Sequence, residues 1–173
     1  MKRIWKHISI LFLGFWLTGP LAAESLTATF SGLWEGNGVL TTAANKPQRR
    51  TRCQVEVVPE AGSETLHIAG VCAVAVRRSR FVLRITWLRG GRVVAGFRAS
   101  GMEETVQYRG KQSGKTIELL SSTTQDFDGR AHLSRLVIAF TGKDSFAVDE
   151  WRQPEGHGAD LHSLSLVFKK KDL

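Results

Sequence analysis

From Phe30 onward, apolar and polar residues alternate in short runs separated by turn residues, the period of strands with one buried face. Phe30, Trp34 and Leu40 share one face of a first run, with Gly32, Gly36 and Gly38 between them. In a second run Thr51, Cys53, Val55 and Val57 alternate with Arg52, Gln54 and Glu56. Pro59 to Glu64 reads as a turn, and Leu66, Ile68, Cys72, Val74 and Val76 line one face of a third run. Further strands are predicted at Phe81 to Leu88, Val93 to Ala99, Thr105 to Arg109 and Thr116 to Ser121, with turns at Gly90-Gly91, Gly101 and Gly110 to Lys115. Gln125 to Gly129 reads as a turn, and Leu133 to Thr141, Phe146 to Gln153 and Leu161 to Lys170 complete ten strands. No stretch keeps a helical period for three turns; only Gly19 to Ser31 leaves room for a short helix.

Ten meandering strands expose two edges unless the sheet closes on itself, and closure removes that hazard. The expected fold is therefore an all-β, ten-stranded antiparallel up-and-down barrel, preferred over an open sandwich. The two cysteines fit it. A hairpin of the second and third strands centred on Gly62-Ser63 places Cys53 directly opposite Cys72, both on the apolar face, close enough for a disulfide. Such a bridge closes a loop of about 20 residues and contributes roughly 3 kcal/mol in the chain-entropy treatment. With no CxxC spacing, a redox or metal role for the pair is not expected.

The N-terminal stretch changes the picture of where this barrel works. Lys2, Arg3 and Lys6 precede an apolar run from Ile8 to Leu17, then Gly19-Pro20 and the small residues Ala22-Ala23. This order predicts a secretory signal peptide over residues 1–23, and a single β-barrel domain over 24–173 in the periplasm or outside the cell. The apolar run is too short for a spanning helix, which needs about 20 residues. No stable membrane anchor is expected after processing, and an oxidising compartment suits the cysteine pair. The chain carries a formal net charge of +8, part of it in the leader. Between Glu64 and Glu103 no acid occurs, while Arg77, Arg78, Arg80, Arg84, Arg89, Arg92 and Arg98 do, interleaved with Phe81, Trp87 and Phe97. Arginine with aromatics can bind nucleic acid, but export argues for an anionic envelope partner or a solvated face instead. Arg77, Arg78 and Arg80 are expected in one turn and Arg89 and Arg92 around another, at opposite ends of a hairpin.

The opening strand Phe30-Ser31-Gly32-Leu33-Trp34-Glu35-Gly36-Asn37-Gly38 resembles the Gly-x-Trp strand of the calycin superfamily, the lipocalins and fatty-acid-binding proteins. Its Gly-x-Trp-x-Gly-x-Gly form is similar to the nitrobindin-like branch, as are Phe140 to Phe146 with Trp151 and the closing Leu164 to Lys170. The resemblance implies a barrel whose tryptophan plugs one end under a basic side chain, here Arg152 or Lys169. It also implies a ligand cavity, for which Trp34, Phe97, Tyr108 and Phe140 are the candidate lining residues. The nitrobindin branch holds haem through a histidine on its last strands. Ser163 and Ser165 stand where that histidine is wanted and His162 lies on the opposite face, so no cofactor is expected, a haem held by a displaced His162 being the weaker alternative. Small periplasmic protease inhibitors are similar in joining a Gly-x-Trp opening to one hairpin disulfide, and imply the alternative of an interaction module without a small-molecule ligand.

Catalytic chemistry is not predicted. Nucleophile elbows, HExxH pairs and phosphate-cradling glycine loops are absent from the sequence. The acidic pairs Glu103-Glu104 and Asp149-Glu150 would point to opposite faces of a strand and cannot serve one bond as acid and base. Glu150 shares a face with Phe146 and Val148, so it is expected to point inward, paired with an inward arginine. His157, Asp160 and His162 form the only metal-like cluster, on a glycine-bearing segment without fixed geometry, and no metal is expected. His67 and His132 read as ordinary polar-face and turn histidines.

Overall fold

The computed structural model describes residues 29–43, 45–127, 129–155 and 159–171; the expected leader and His157 lie outside them. Eleven strands follow in order: β1 (Gly32–Leu40), β2 (Arg49–Pro59), β3 (Thr65–Val74), β4 (Arg77–Trp87), β5 (Arg92–Ala99), β6 (Val106–Ser113), β7 (Thr116–Ser121), β8 (Gln125–Phe127), β9 (Arg130–Phe140), β10 (Ser145–Pro154) and β11 (Leu161–Lys170). Ten of them form a closed antiparallel barrel, each pairing with its neighbours, through β7 to β9, β10 and β11 and back to β1. The short β8 stands outside the ring and pairs only with the start of β9. One end of the barrel carries the β2–β3, β4–β5, β6–β7 and β9–β10 turns, and the other carries the remaining connections.

The strand period is visible in burial. On β2, Thr51, Cys53, Val55 and Val57 are buried while Arg50, Arg52, Gln54 and Glu56 are exposed. Cys53 pairs directly with Cys72 and the two are bonded, with Cα atoms 4.0 Å apart. The hairpin register that brings them together runs unbroken from Thr51↔Val74 to Pro59↔Leu66.

Several expectations change. Gln125 to Phe127 form a strand rather than a turn, because the turn proper tightens around Gly129, which has a φ of +73°. β6 extends through Gly110 to Ser113, so the predicted Gly110–Lys115 turn shrinks to Gly114 and Lys115. Gly110 is kept there by close approach: a Cβ would sit 1.7 Å from the Glu118 carbonyl oxygen. Arg77, Arg78 and Arg80 open β4 instead of crowding a turn, and Val76 leaves β3 for the hairpin tip. Phe30 precedes β1 rather than sharing its face, and Thr29 before it is helical.

The turn-rich end is closed by aromatics. Phe30 lies across Trp34 (ring centroids 5.9 Å) and Phe140 (4.0 Å), and accepts the Trp34 indole hydrogen bond on its carbonyl at 3.0 Å. Phe146 meets Trp34 edge-on at 4.9 Å and stacks on Phe168 at 4.6 Å. The Phe168 ring fills the space a side chain at Gly36 would need. Lys170, not Arg152 or Lys169, covers Trp34: its Nζ lies 5.5 Å from the ring centroid and donates to the Thr29 carbonyl. The reason is register. Lys170 is the direct cross-strand partner of Trp34, Lys169 points the other way, and Arg152 sits near the far end of β10.

Candidate ligand cavity

Above this plug the barrel is hollow. Ile68, Phe81, Phe97, Met102, Val148 and Leu164 face inward yet are only partly buried, which in a filled core they would not be. They border a cavity of about 380 Å³. Phe30, Phe140, Phe146 and Phe168 form its floor, and Leu40, Ser79, Ala99, Met102, Gln125 and Arg152 stand toward the opposite, open end. The walls are chiefly aliphatic and aromatic: Val55, Val57, Leu66, Leu83, Ile85, Leu136, Ile138 and Leu166.

Among the expected lining residues, Phe97, Tyr108 and Phe140 border the cavity. Trp34 does not; it is 1% exposed and lies beneath the floor, screened by Phe30 and Phe146. Trp34 is thus placed as part of the plug, because Phe30 folds back over it before β1 begins.

The polar groups of the wall gather toward the open end, where Glu150, Ser134, Ser163, Tyr108 and Arg152 engage one another while Gln125 Nε2 is buried without a hydrogen-bond partner among the described residues. Glu150 points inward from β10, as its face predicts, and accepts hydrogen bonds from Ser134 Oγ at 2.7 Å and Ser163 Oγ at 2.8 Å. Arg152 Nη2 lies 3.4 Å from its Oε2, the inward ion pair expected for this carboxylate. Tyr108 donates to Ser134 Oγ at 3.2 Å. Burial pushes the Tyr108 phenol above its ordinary pKa, and the nearby Glu150 charge adds to that. Buried polar atoms paired in this way cost far less than orphaned ones. The cluster therefore holds its charges internally and offers a ligand no unpaired charge.

Ser163 reaches Glu150 because β11 is bulged. Glu150 pairs with Leu164 and Trp151 with His162, so Ser163 is the extra residue between them, and it is 1% exposed. The same bulge turns His162 outward. Its ring stacks on Trp151 at 4.6 Å and Nε2 lies 2.9 Å from Asp149 Oδ1, while Arg135 covers the Trp151 ring at 4.2 Å. His162 is thus outside the cavity and gives its interior no imidazole. Of the expected loop cluster, His157 is not described, and among the described residues no group of histidines, cysteines and carboxylates could hold a metal ion.

Ring order and interior together define a closed antiparallel β-barrel with an apolar hollow, a plugged end and a self-neutralised polar cluster near its mouth. Compared with known families and curated proteins, the chain finds its match in no family model and in no curated protein.

Proposed function

We propose that this is an exported, calycin-like binding protein whose barrel encloses a small, neutral and predominantly apolar molecule. The observation that carries the reading is the hollow itself: about 380 Å³ behind apolar walls, within the size of ligand pockets and near its lower bound. Because Glu150, Arg152, Ser134, Ser163 and Tyr108 engage each other, an anionic or cationic ligand would enter without a free counter-charge, whereas an apolar one displaces only water from the walls. The leader-like N terminus and the Cys53–Cys72 bridge support an extracytoplasmic setting, periplasmic or secreted. The Gly-x-Trp strand and the basic side chain over the tryptophan support kinship with calycins. A filled interior would favour the alternative of an interaction module without a ligand, and the partly exposed inward side chains weigh toward the binding reading instead.

The test is titration of the oxidised protein with N-phenyl-1-naphthylamine, an uncharged apolar fluorophore. Saturable enhancement with one probe per chain is expected. Ala99→Trp, which puts an indole into the cavity from its partly buried wall, weakens binding at least about tenfold, roughly 1.4 kcal/mol. An absence of saturable binding, or equal affinity in a folded Ala99→Trp variant, refutes the reading.

A further inference from the structure

We infer that the open end of the barrel docks on an anionic lipid bilayer, with Val76 entering the interface and the arginines beside it binding headgroups. The first observation is the tip of the β3–β4 hairpin. Its two residues are Ala75, held at a φ of +53°, and Val76, at 97% the most exposed large apolar side chain among the described residues. Hairpin tips of this kind ordinarily carry glycine, asparagine or aspartate, which accept left-handed backbone and face water at no cost. Here the tip has neither property.

The second observation is the charge around it. Arg77 follows the tip, and cross-strand pairing lines up Arg52, Ala73 and Arg78 in one row, with Gln54, Val71 and Arg80 in the next. Arg98 on β5 pairs with the exposed Val82. Arg52, Arg77, Arg78, Arg80 and Arg98 are all exposed, and among the described residues none has a carboxylate within ion-pair distance. Arg84, lower on β4, differs in being paired with Glu60 at 3.0 Å. The acids of the open end lie elsewhere on its rim: Glu103 and Glu104 before β6, Asp126 on β8, and Glu155 and Asp160 between β10 and β11. The rim is therefore basic on one side and acidic on the other, which sets the tilt with which it meets a negative surface.

A projecting apolar tip set among unpaired cations matches what binds at a bilayer interface, where an apolar group enters the acyl boundary and cations hold anionic lipids. An acidic protein is the poorer fit, since protein contacts concentrate on aromatic anchors seated in pockets and the tip offers a lone valine. The placement deepens the ligand-binding reading, on which it rests for its purpose: the mouth of the apolar hollow would face the one phase in which an apolar molecule is abundant.

Vesicle co-sedimentation of the exported protein, freed of its leader by the secreting cell, tests this, with phosphatidylcholine alone and with phosphatidylcholine mixed with phosphatidylglycerol, at low and high salt. Binding is expected only to the mixed vesicles and weakens with salt. Each arginine at such a surface strengthens binding about fivefold, so Arg52→Glu, Arg78→Glu and Arg80→Glu together weaken it more than about a hundredfold. Val76→Asp, with every arginine intact, weakens it about tenfold or more. None of these residues borders the cavity, so naphthylamine binding in solution is unchanged in both variants, and failure of one reading is distinguishable from failure of the other. Equal binding to neutral vesicles, no binding to mixed ones, or full binding by Val76→Asp overturns the proposal. So does soluble heparin binding as tightly as the mixed vesicles, which marks an acidic polymer as the partner.

Discussion

At the scale of single residues, Tyr108 is the most informative position. It is the only tyrosine in the chain, and burial raises its pKa in the folded state. A group that holds its proton more tightly when folded does not affect stability below the unfolded pKa, about 10 for a phenol. Above that pH the unfolded chain ionises while the folded barrel does not, and the balance shifts toward unfolding until the folded pKa is passed. Urea midpoints measured across this range therefore fall more steeply for the native protein than for Tyr108→Phe, which has no phenol to ionise. Parallel curves would show that Tyr108 meets the same environment folded and unfolded. Charge pairing at this scale was partly readable in advance. Glu150 and an inward arginine follow from strand parity alone, because residues two apart share a face. Ser134, Tyr108 and Ser163 do not, since they meet Glu150 only after β6, β9 and β11 have been placed around the ring.

At the scale of elements, the β2–β3 hairpin shows why so much of the fold was legible. Its two strands alternate cleanly, its turn carries Gly62 at a φ of +74°, and one register satisfies both the buried faces and the two sulfurs. Reduction removes the link without changing that register. Because the bridged residues are 19 apart, the cost is about 3 kcal/mol of stability, to be read as the difference in denaturant unfolding with and without dithiothreitol. Equal stability of the oxidised and reduced forms would mean that the hairpin persists in the unfolded ensemble. Where alternation is weak or short, reading fails: three residues of β8 are too few to show a period, and Gly110 looks like turn chemistry although it answers to a neighbouring strand's carbonyl. Lys170 was missed for a related reason, as the residue over Trp34 is chosen by the β1–β11 register, and that register exists only once the chain's last strand returns to its first.

For the molecule as a whole, that return is the seam on which closure depends. β1 and β11 pair from Trp34↔Lys170 to Leu40↔Leu164, and at Gly38 the two backbones come so close that a Cβ would lie 1.9 Å from the Ser165 carbonyl oxygen. No side-chain rotation relieves a clash with backbone. Gly38→Ala therefore forces the seam apart and lowers global stability by about 1–3 kcal/mol, measured by urea unfolding followed by far-ultraviolet circular dichroism. An unchanged midpoint would mean that the first and last strands tolerate separation and that the barrel's integrity lies elsewhere. The hollow above the plug depends on the same closure, because its wall includes Leu164, Leu166 and Phe168 from β11 on one side and Val55 and Val57 from β2 on the other.

The bulge at Ser163 carries a consequence for the chemistry the interior can offer. Along a straight β11, Leu164 and His162 would look the same way, and an imidazole would hang beside the Glu150 carboxylate. One additional residue turns that ring to the outer surface, beneath Trp151, and puts a hydroxyl in its place. A single step of strand geometry thus separates this wall from one equipped with a metal-binding nitrogen.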